Sequence, residues 1–312
     1  MIAFIFPGQG SQKVGMGRTL ADAFPEARAA FDEAEAALPG LTKLIFEGPE
    51  SELILTENAQ PAILTMSVAA QRVLAAHGIE PAFVAGHSLG EYSANVAAET
   101  LRFGDAVRIV RRRGQYMQEA VPVGAGSMAA ILGLDADAVA RACEEAAQGE
   151  VVSPANINGA GQVVIAGATS AVQRAGEKAK ALGAKRVIPL AVSAPFHCAL
   201  LKPAEERLEP ELRMLPLQNP RVPVVANVDA EPKRDAASAI DALVRQVSAP
   251  VRWEQVVRRL ASEGVTNYVE VGPGTVLSGL VKKIDKGATV FNFAQPDDLA
   301  ALQEGLASGK VE

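Results

Sequence analysis

Short apolar runs alternate with longer segments of helical spacing along most of the chain. The runs Ile2–Phe6 and 82–86 predict buried strands, and alanine-rich helical segments extend from the first of them to about residue 78. Strands that alternate with helices are typical of a parallel sheet covered on both faces, which indicates an α/β fold. The pattern also predicts helices near 88–98, 104–121, 199–214, 236–247 and 253–263, and strands at 222–225 and Asn267–Val271.

The stretch 126–191 has a different order of elements. It predicts a strand at 127–132, a helix at 135–148, a hairpin of strands 151–157 and 162–166, a helix at 169–182 and a strand at 185–192. The order β-α-β-β-α-β is the ferredoxin-like motif, and glycine and proline flank it on both sides. We therefore predict a large domain made of residues 1–123 and 195–312, with a ferredoxin-like subdomain of residues 124–194 inserted into it.

Composition excludes several classes of protein. The net charge of −6 argues against a general nucleic-acid binder, because neutralising phosphates requires clustered lysine and arginine. Two cysteines, Cys143 and Cys198, indicate no disulfide framework and favour a reducing compartment. No apolar segment approaches the ~20 residues of a membrane span, and the first apolar run stops at Pro7 without a preceding basic segment. We expect a cytoplasmic protein with no nucleic-acid or membrane partner.

The most informative motif follows the strand at 82–86. Gly86-His87-Ser88-Leu89-Gly90 is Gly-x-Ser-x-Gly between a predicted strand and a predicted helix, which is the context of a nucleophile elbow. Such a turn exposes the serine hydroxyl at a helix N-terminus, where unpaired N–H groups favour negative charge. The motif alone is weak, but its context predicts Ser88 as a nucleophile rather than an incidental serine in a glycine-rich turn.

A serine nucleophile requires a general base, and the chain has three histidines. His77 lies at a predicted helix C-terminus, where a capping role is expected. His87 adjoins Ser88 on the tight turn, so its side chain is expected to point away and pack under the elbow. His197 lies where the chain re-enters the large domain and is the predicted base. No acidic residue near His197 stands out as its partner, so a main-chain carbonyl is an alternative.

Two further groups complete the prediction from the residues. One oxyanion donor is expected to be the main-chain N–H of Leu89, the residue after the nucleophile. The loop Gly8-Gln9-Gly10 offers a second, or alternatively cradles a phosphate, although it lacks the Lys-Ser/Thr pair of a P-loop. Cys198 is the rival nucleophile, but no elbow surrounds it and a small buried hydrophobe is the favoured interpretation.

Several segments together resemble one enzyme family. They are 6–12 (FPGQGSQ), 86–91 (GHSLGE), 111–118 (RRRGQYMQ), 158–167 (NGAGQVVIAG), 194–197 (APFH) and 270–274 (EVGPG). In this order they resemble the malonyl-CoA:acyl carrier protein transacylases, and the likeness extends to about residue 285. The resemblance implies an α/β-hydrolase-like large domain with a parallel sheet, an inserted ferredoxin-like subdomain, and an active site between them.

The resemblance also implies a role for each site residue. It places the nucleophile on Ser88 and the general base on His197. The oxyanion donors fall on the main chain of Gln9 and Leu89, and the main-chain carbonyl that orients the histidine falls on Gln246. The arginine that binds the malonyl carboxylate falls on Arg113, and a nearby polar contact falls on Gln60. The planar guanidinium fork matches a carboxylate in a way that lysine does not. The other two arginines of 111–113 are expected on a solvated helix face.

The implied function is ping-pong transfer of a malonyl group from malonyl-CoA to the phosphopantetheine thiol of acyl carrier protein, serving fatty acid or polyketide synthesis. The expected partners are these two substrates, no metal or other cofactor is expected, and a monomer is expected. Two alternatives remain open. One is a serine thioesterase or esterase of similar fold, in which water rather than a thiol resolves the acyl-enzyme. The other is a non-catalytic scaffold that binds a carrier protein.

Overall fold

The computed structural model describes residues 1–308 as a mixed α/β structure with two sheets. The strands are β1 Ile2–Phe6, β2 Phe83–Gly86, β3 Gly126–Leu132, β4 Val152–Gly159, β5 Gln162–Ala168, β6 Arg186–Pro189, β7 Val224–Val225, β8 Pro232–Lys233, β9 Asn267–Val271 and β10 Thr289–Phe293. The helices are α1 Arg18–Ala23, α2 Pro25–Ala37, α3 Leu41–Glu47, α4 Glu50–Leu53, α5 Thr56–Ala76, α6 Gly90–Ala97, α7 Phe103–Glu119, α8 Ala136–Ala147, α9 Thr169–Ala181, α10 Lys202–Arg213, α11 Ala236–Gln246, α12 Trp253–Ser262, α13 Val276–Ile284 and α14 Asp298–Ser308.

The larger sheet has the order β10-β9-β1-β2-β7-β8. Neighbouring strands in this sheet pair in parallel, except that β7 and β8 pair antiparallel at one edge. Strand β1 lies between β9 and β2, and its nearly continuous apolar sequence suits a strand covered on both faces. The predicted parallel sheet is confirmed.

Alternate residues of β1 point into two separate cores. Phe4 and Phe6 pack with a large cluster that includes Phe31 of α2, whereas Ala3 and Ile5 pack with a second cluster around Trp253 of α12. This alternation follows from the two-residue period of a strand. Helices therefore cover both faces of the larger sheet. None of the helices within residues 1–308 is long and apolar enough to cross a membrane.

The smaller sheet is antiparallel and has the order β4-β5-β3-β6. One face packs against α8 and α9, and the other face, through Met128, Ala130 and Val164, joins the large core around Phe4. The N–H of Val251 donates to Ala155 and the N–H of Ile157 donates to Val251, both at 2.8 Å. These contacts fix the smaller sheet against the larger one.

Several helices and strands of the structure are shorter than the elements predicted from the sequence. The strand predicted at 185–192 is limited to Arg186–Pro189, and the one predicted at 222–225 is limited to Val224–Val225. The helix predicted from residue 88 starts at Gly90, since Ser88 has a φ of 54°. The helix predicted at 199–214 is a 3₁₀ turn at Ala199–Leu201 followed by α10.

Two glycines allow α6 to lie directly against β1 and β2. A Cβ on Gly90 would lie 2.0 Å from the Phe6 carbonyl oxygen, and a Cβ on Gly86 would lie 2.0 Å from the main chain of Gly90. These distances are incompatible with any side chain unless the main chain moves. The spacing of the Gly-x-Ser-x-Gly motif is therefore a packing requirement.

Replacing Gly90 with alanine is expected to lower the free energy of unfolding by about 3 kcal/mol or more, because the clash is with main chain that cannot rotate away. The matched control is Gly279, in the exposed middle of α13, where an added Cβ would have no neighbouring atom within 4 Å. Gly279→Ala is expected to stabilise the protein by about 0.5–1 kcal/mol. Denaturant unfolding of both variants measures these changes, and a Gly90→Ala variant as stable as the wild type would contradict the packing argument.

Candidate active site

Ser88 lies at the turn between β2 and α6 in a left-handed conformation. Its N–H donates to Asn227 Oδ1 at 2.7 Å, and Asn227 Nδ2 donates to the Gly86 carbonyl at 2.6 Å. Asn227 is fully buried just after β7 and thus bonds the main chain on both sides of the turn. A backbone conformation of this kind persists only where the surroundings hold it. The sequence analysis missed Asn227; its position at the carboxyl end of a predicted strand was the available signal.

Ser88 and His197 are in direct contact. Ser88 Oγ lies 2.7 Å from His197 Nε2, and His197 Nδ1 lies 2.9 Å from the main-chain oxygen of Gln246. Because a carbonyl oxygen only accepts, Nδ1 carries the proton and Nε2 is free to accept the serine proton. The three residues therefore have the geometry of an activated serine whose base is oriented by a carbonyl instead of a carboxylate.

The His197 imidazole is held in its neutral form. Burial, together with the nearby positive charge of Arg113, lowers the pKa of His197 from 6.5 to about 3. A lowered histidine pKa favours the unprotonated ring, so His197 is in the form that a general base requires throughout the neutral pH range.

Replacing Arg113 with alanine is expected to raise the pKa of His197, because loss of a positive charge favours the imidazolium; burial still keeps the pKa below 6.5. An NMR titration of the histidine ring signals measures the change, and the exposed Arg112 on the same helix provides the control variant, Arg112→Ala. An unchanged or lower pKa for His197 in Arg113→Ala would contradict the electrostatic account.

Arg113 of α7 is only 2% exposed, and its guanidinium points at the serine. One Nη donates to Gln60 Oε1 at 2.7 Å, and the other donates to Gln246 Oε1 at 2.8 Å and lies 3.3 Å from Ser88 Oγ. Within residues 1–308, no carboxylate lies within ion-pair distance of it. A buried cation with only neutral partners is costly, so the arrangement favours an anionic ligand beside Ser88.

The neighbouring arginines differ from Arg113 in their surroundings. Arg111 is half-buried and forms an ion pair with Glu57 at 3.3 Å, and Arg112 is exposed. Helical geometry therefore turns only one of the three side chains toward the serine.

The two predicted oxyanion donors lie on adjoining segments. Gln9 follows β1, and its side chain donates to Thr56 Oγ1 at 3.1 Å, while Leu89 precedes α6. A Cβ on Gly8 would lie 2.5 Å from the His87 carbonyl oxygen, so this loop packs closely on the elbow. In the part of the chain from 1 to 308, neither the N–H of Gln9 nor that of Leu89 donates to a main-chain acceptor. Both amides are thus available to an oxyanion.

A cavity of about 480 Å³ opens above Ser88 between the two sheets. Gln9, Gln60, Arg113 and His197 line it from the side of the larger sheet, and Met128, Asn156 and the segment 190–193 line it from the side of the smaller one. A cleft with a few convergent polar groups and an activated nucleophile is the usual setting for a substrate site.

The other histidines have different partners. His77 is the C-cap of α5, with Nδ1 2.8 Å from the Val73 carbonyl. His87 points away from Ser88: its Nε2 lies 2.9 Å from Asn158 Oδ1 and its ring contacts Trp253.

Cys198 has none of the features of a nucleophile. It is buried and donates to the Pro195 carbonyl, and burial raises the pKa of its thiol to about 11. A thiol with a raised pKa in apolar surroundings is unreactive.

Comparison with known proteins agrees with this geometry. Residues 3–295 match the family model of the acyl transferase domain. The chain is 52% identical over 304 residues to the malonyl CoA-acyl carrier protein transacylase of Escherichia coli O157:H7, covering 97% of this chain and 98% of that protein. The crystal structure of an acyl carrier protein S-malonyltransferase from Vibrio cholerae is 48% identical and superposes with a TM-score of 0.95 over 96% of this chain and 99% of that one.

A second solved structure, described as a type II PKS acyl-carrier protein in complex with its malonyl-transacylase, is also 48% identical, with a TM-score of 0.95 over 97% of this chain and 99% of that chain. A family match that spans most of the chain, together with near-full-length relatives of about half-identical sequence, confirms the resemblance. The chain belongs to the malonyl-CoA:acyl carrier protein transacylase family of acyl transferases.

Proposed function

We propose that this protein transfers a malonyl group from malonyl-CoA to the phosphopantetheine thiol of an acyl carrier protein through a malonyl-Ser88 intermediate. The observation that carries the proposal is the buried guanidinium of Arg113, whose hydrogen-bond partners among residues 1–308 are all neutral and which lies 3.3 Å from the nucleophile oxygen. An acyl group that ends in a carboxylate provides the missing anion. The family match and the complex of a related malonyl-transacylase with its carrier protein support the same reaction.

In the first half-reaction Ser88 Oγ attacks the thioester carbonyl carbon while His197 Nε2 takes the hydroxyl proton. The main-chain N–H groups of Gln9 and Leu89 donate to the oxyanion of the tetrahedral intermediate. The carbon–sulfur bond then breaks, His197 gives its proton to the leaving thiolate, and coenzyme A departs. Loss of one oxyanion donor typically costs about 10²–10³ in rate.

In the second half-reaction the carrier's pantetheine thiol enters the same cleft. His197 takes the thiol proton, and the thiolate attacks the malonyl-Ser88 ester through a second oxyanion held by the same two amides. The ester bond breaks, and His197 returns the proton to Ser88 Oγ. The Gln246 carbonyl stabilises the imidazolium in both halves, and Arg113, with Gln60 beside it, holds the malonyl carboxylate. This chemistry requires no metal or redox cofactor.

The finer description of the fold is part of the proposal. We assign residues 1–123 and 195–312 to an α/β-hydrolase-like domain and residues 124–194 to an inserted ferredoxin-like subdomain. The parallel arrangement around β1 and the elbow after β2 support the first assignment. The order β4-β5-β3-β6, with two helices on one face, supports the second. A cytoplasmic monomer that serves fatty acid or polyketide synthesis completes the proposal.

Two alternatives make different predictions. A serine thioesterase would share Ser88 and His197 but release its acyl group to water, and a non-catalytic scaffold would bind a carrier protein without forming an adduct. Steady-state rates measured against both substrates distinguish the three. A ping-pong enzyme gives parallel double-reciprocal lines for malonyl-CoA and holo carrier protein. Malonyl-CoA hydrolysis at a rate independent of carrier protein would favour the thioesterase, and the absence of turnover would favour the scaffold.

A further inference from the structure

Glu91 is a buried carboxylate close to the active site that takes no part in the steps above. It lies in the first turn of α6, three residues after Ser88, and is 1% exposed. A carboxylate this deeply buried needs specific partners, since burial disfavours its charged form. Its partners connect it to the substrate-binding arginine.

One oxygen of Glu91 accepts two hydrogen bonds. Gln246 Nε2 donates to Glu91 Oε2 at 2.7 Å, and the main-chain N–H of Asn227 donates to the same oxygen at 2.9 Å. Because a carboxylate only accepts, the side of the Gln246 amide that faces it is the NH₂ group. The amide oxygen of Gln246 must then face the opposite way.

The opposite side of that amide is occupied by Arg113. Gln246 Oε1 accepts from Arg113 Nη at 2.8 Å, and Gln246 Nε2 donates a further bond to the Ser88 carbonyl at 3.0 Å. If the amide were rotated by half a turn, its NH₂ group would face the guanidinium donors and its oxygen would face the carboxylate. Glu91, together with the Ser88 carbonyl, thus favours the one orientation of Gln246 that holds Arg113 beside the serine.

The charges of Arg113 and Glu91 lie on opposite sides of the Gln246 amide. Within the described residues, the hydrogen-bonded oxygens around the guanidinium are all neutral, and the Glu91 carboxylate lies on the far side of one amide group. Burial raises the pKa of Glu91 to about 7, while the Asn227 and Gln246 donors and the Arg113 charge oppose that rise. In turn the carboxylate favours the charged form of Arg113. When it is ionised, Glu91 is a counter-charge one amide away, which favours the charged arginine without occupying the face that an incoming carboxylate must reach.

We propose that Glu91 is a positioning residue that, through the Gln246 amide, orients Arg113 and so sets the preference for acyl groups ending in a carboxylate. This inference rests on the proposed function. It assigns to Glu91 a role in choosing the acyl group, whereas a carboxylate that only stabilised the fold would affect all acyl groups alike.

The variant Glu91→Gln tests the proposal, because glutamine has the same shape but carries no charge and does not enforce one orientation of the neighbouring amide. Acylation of Ser88 is measured with malonyl-CoA and with acetyl-CoA. The malonyl-to-acetyl ratio of kcat/KM is expected to fall about tenfold or more, the effect of losing one hydrogen bond to a charged group. Glu270→Gln is the matched control: Glu270 is fully buried and accepts from the N–H groups of Leu277 and Ser278, away from Gln246.

A second variant distinguishes the proposed effect of Glu91 through the Gln246 amide from a folding defect. Gln246→Met removes the amide but keeps the main-chain carbonyl that binds His197. Gln246→Met is expected to lower the same malonyl-to-acetyl ratio. The double variant with Glu91→Gln is expected to lower that ratio little further, because Glu91 acts through the amide that is already absent. A normal ratio in Gln246→Met overturns the proposal even if Glu91→Gln does not fold. An equal loss of malonyl and acetyl transfer in Glu91→Gln also overturns it, whereas failure of the wild type to transfer malonyl rejects the proposed function instead.

Discussion

Ser88→Ala is expected to abolish the covalent malonyl adduct and to reduce malonyl transfer by about 10⁴-fold or more. The reason is that the alanine variant has no atom to form the ester, and residual rates in serine enzymes without their nucleophile come only from binding and the oxyanion donors. The fold should survive, because the hydrogen bonds of Ser88 Oγ within the described part of the chain are to His197 and Arg113, in the site itself. Intact mass spectrometry after mixing with malonyl-CoA measures the adduct, and a carrier-protein assay measures the transfer.

The matched control is Cys198→Ala, which removes the rival nucleophile. Because this thiol is buried and donates to the Pro195 carbonyl, the variant should form the adduct at close to the wild-type rate. An adduct that persists in Ser88→Ala and disappears in Cys198→Ala would show that the nucleophile is Cys198 and not Ser88, and would reject the elbow interpretation.

Arg113→Ala is expected to lower kcat/KM for malonyl-CoA by about 10²–10³-fold while leaving acetyl-CoA comparatively unaffected. Removing one partner of a buried, hydrogen-bonded charge pair typically costs about 2–5 kcal/mol, and the acetyl group has no carboxylate to lose. Arg113→Lys should recover little of the activity, because an ammonium group does not bridge Gln60, Gln246 and a carboxylate in one plane.

Arg112→Ala, on the exposed side of the same helix, is the control and should leave both substrates unchanged. Acylation rates measured with each thioester under identical conditions give the comparison directly. Equal losses for malonyl and acetyl groups in Arg113→Ala would show that the arginine supports the site in general and does not select the acyl group.

The features that the sequence predicted well are those encoded locally. The elbow is visible because Gly86 and Gly90 have to lie at fixed spacing around Ser88, and the structure shows the main chain that excludes a side chain at both. Strand β1 is visible because a strand buried on both faces is a nearly continuous apolar run. His197 was found by elimination among only three histidines, without geometric information.

The features that the sequence did not predict depend on contacts between distant segments. Asn227 bonds the elbow from 139 positions away, and Glu91 meets the Gln246 amide across 155 positions. Neither is marked by local spacing, since the contact exists only once β7 and α11 are placed beside β2. Arg113 could be distinguished from Arg111 and Arg112 only through the family resemblance, because any of the three could occupy the inner face of a helix.

Some elements escaped prediction because their patterns are short or weak. Strand β8 has two residues and is held at the sheet edge by β7 alone, so no periodicity marks it. The segments that form α13, β10 and α14 alternate too briefly after residue 275 to be assigned from pattern.

The central claim is that a malonyl group passes through Ser88 on its way to a carrier protein. The most direct test is intact mass spectrometry of the wild-type protein mixed first with malonyl-CoA and then with holo acyl carrier protein. We predict a single malonyl adduct on the enzyme that disappears as the carrier protein gains the same mass. An adduct lost at the same rate with and without carrier protein, or no adduct at all, would contradict the account.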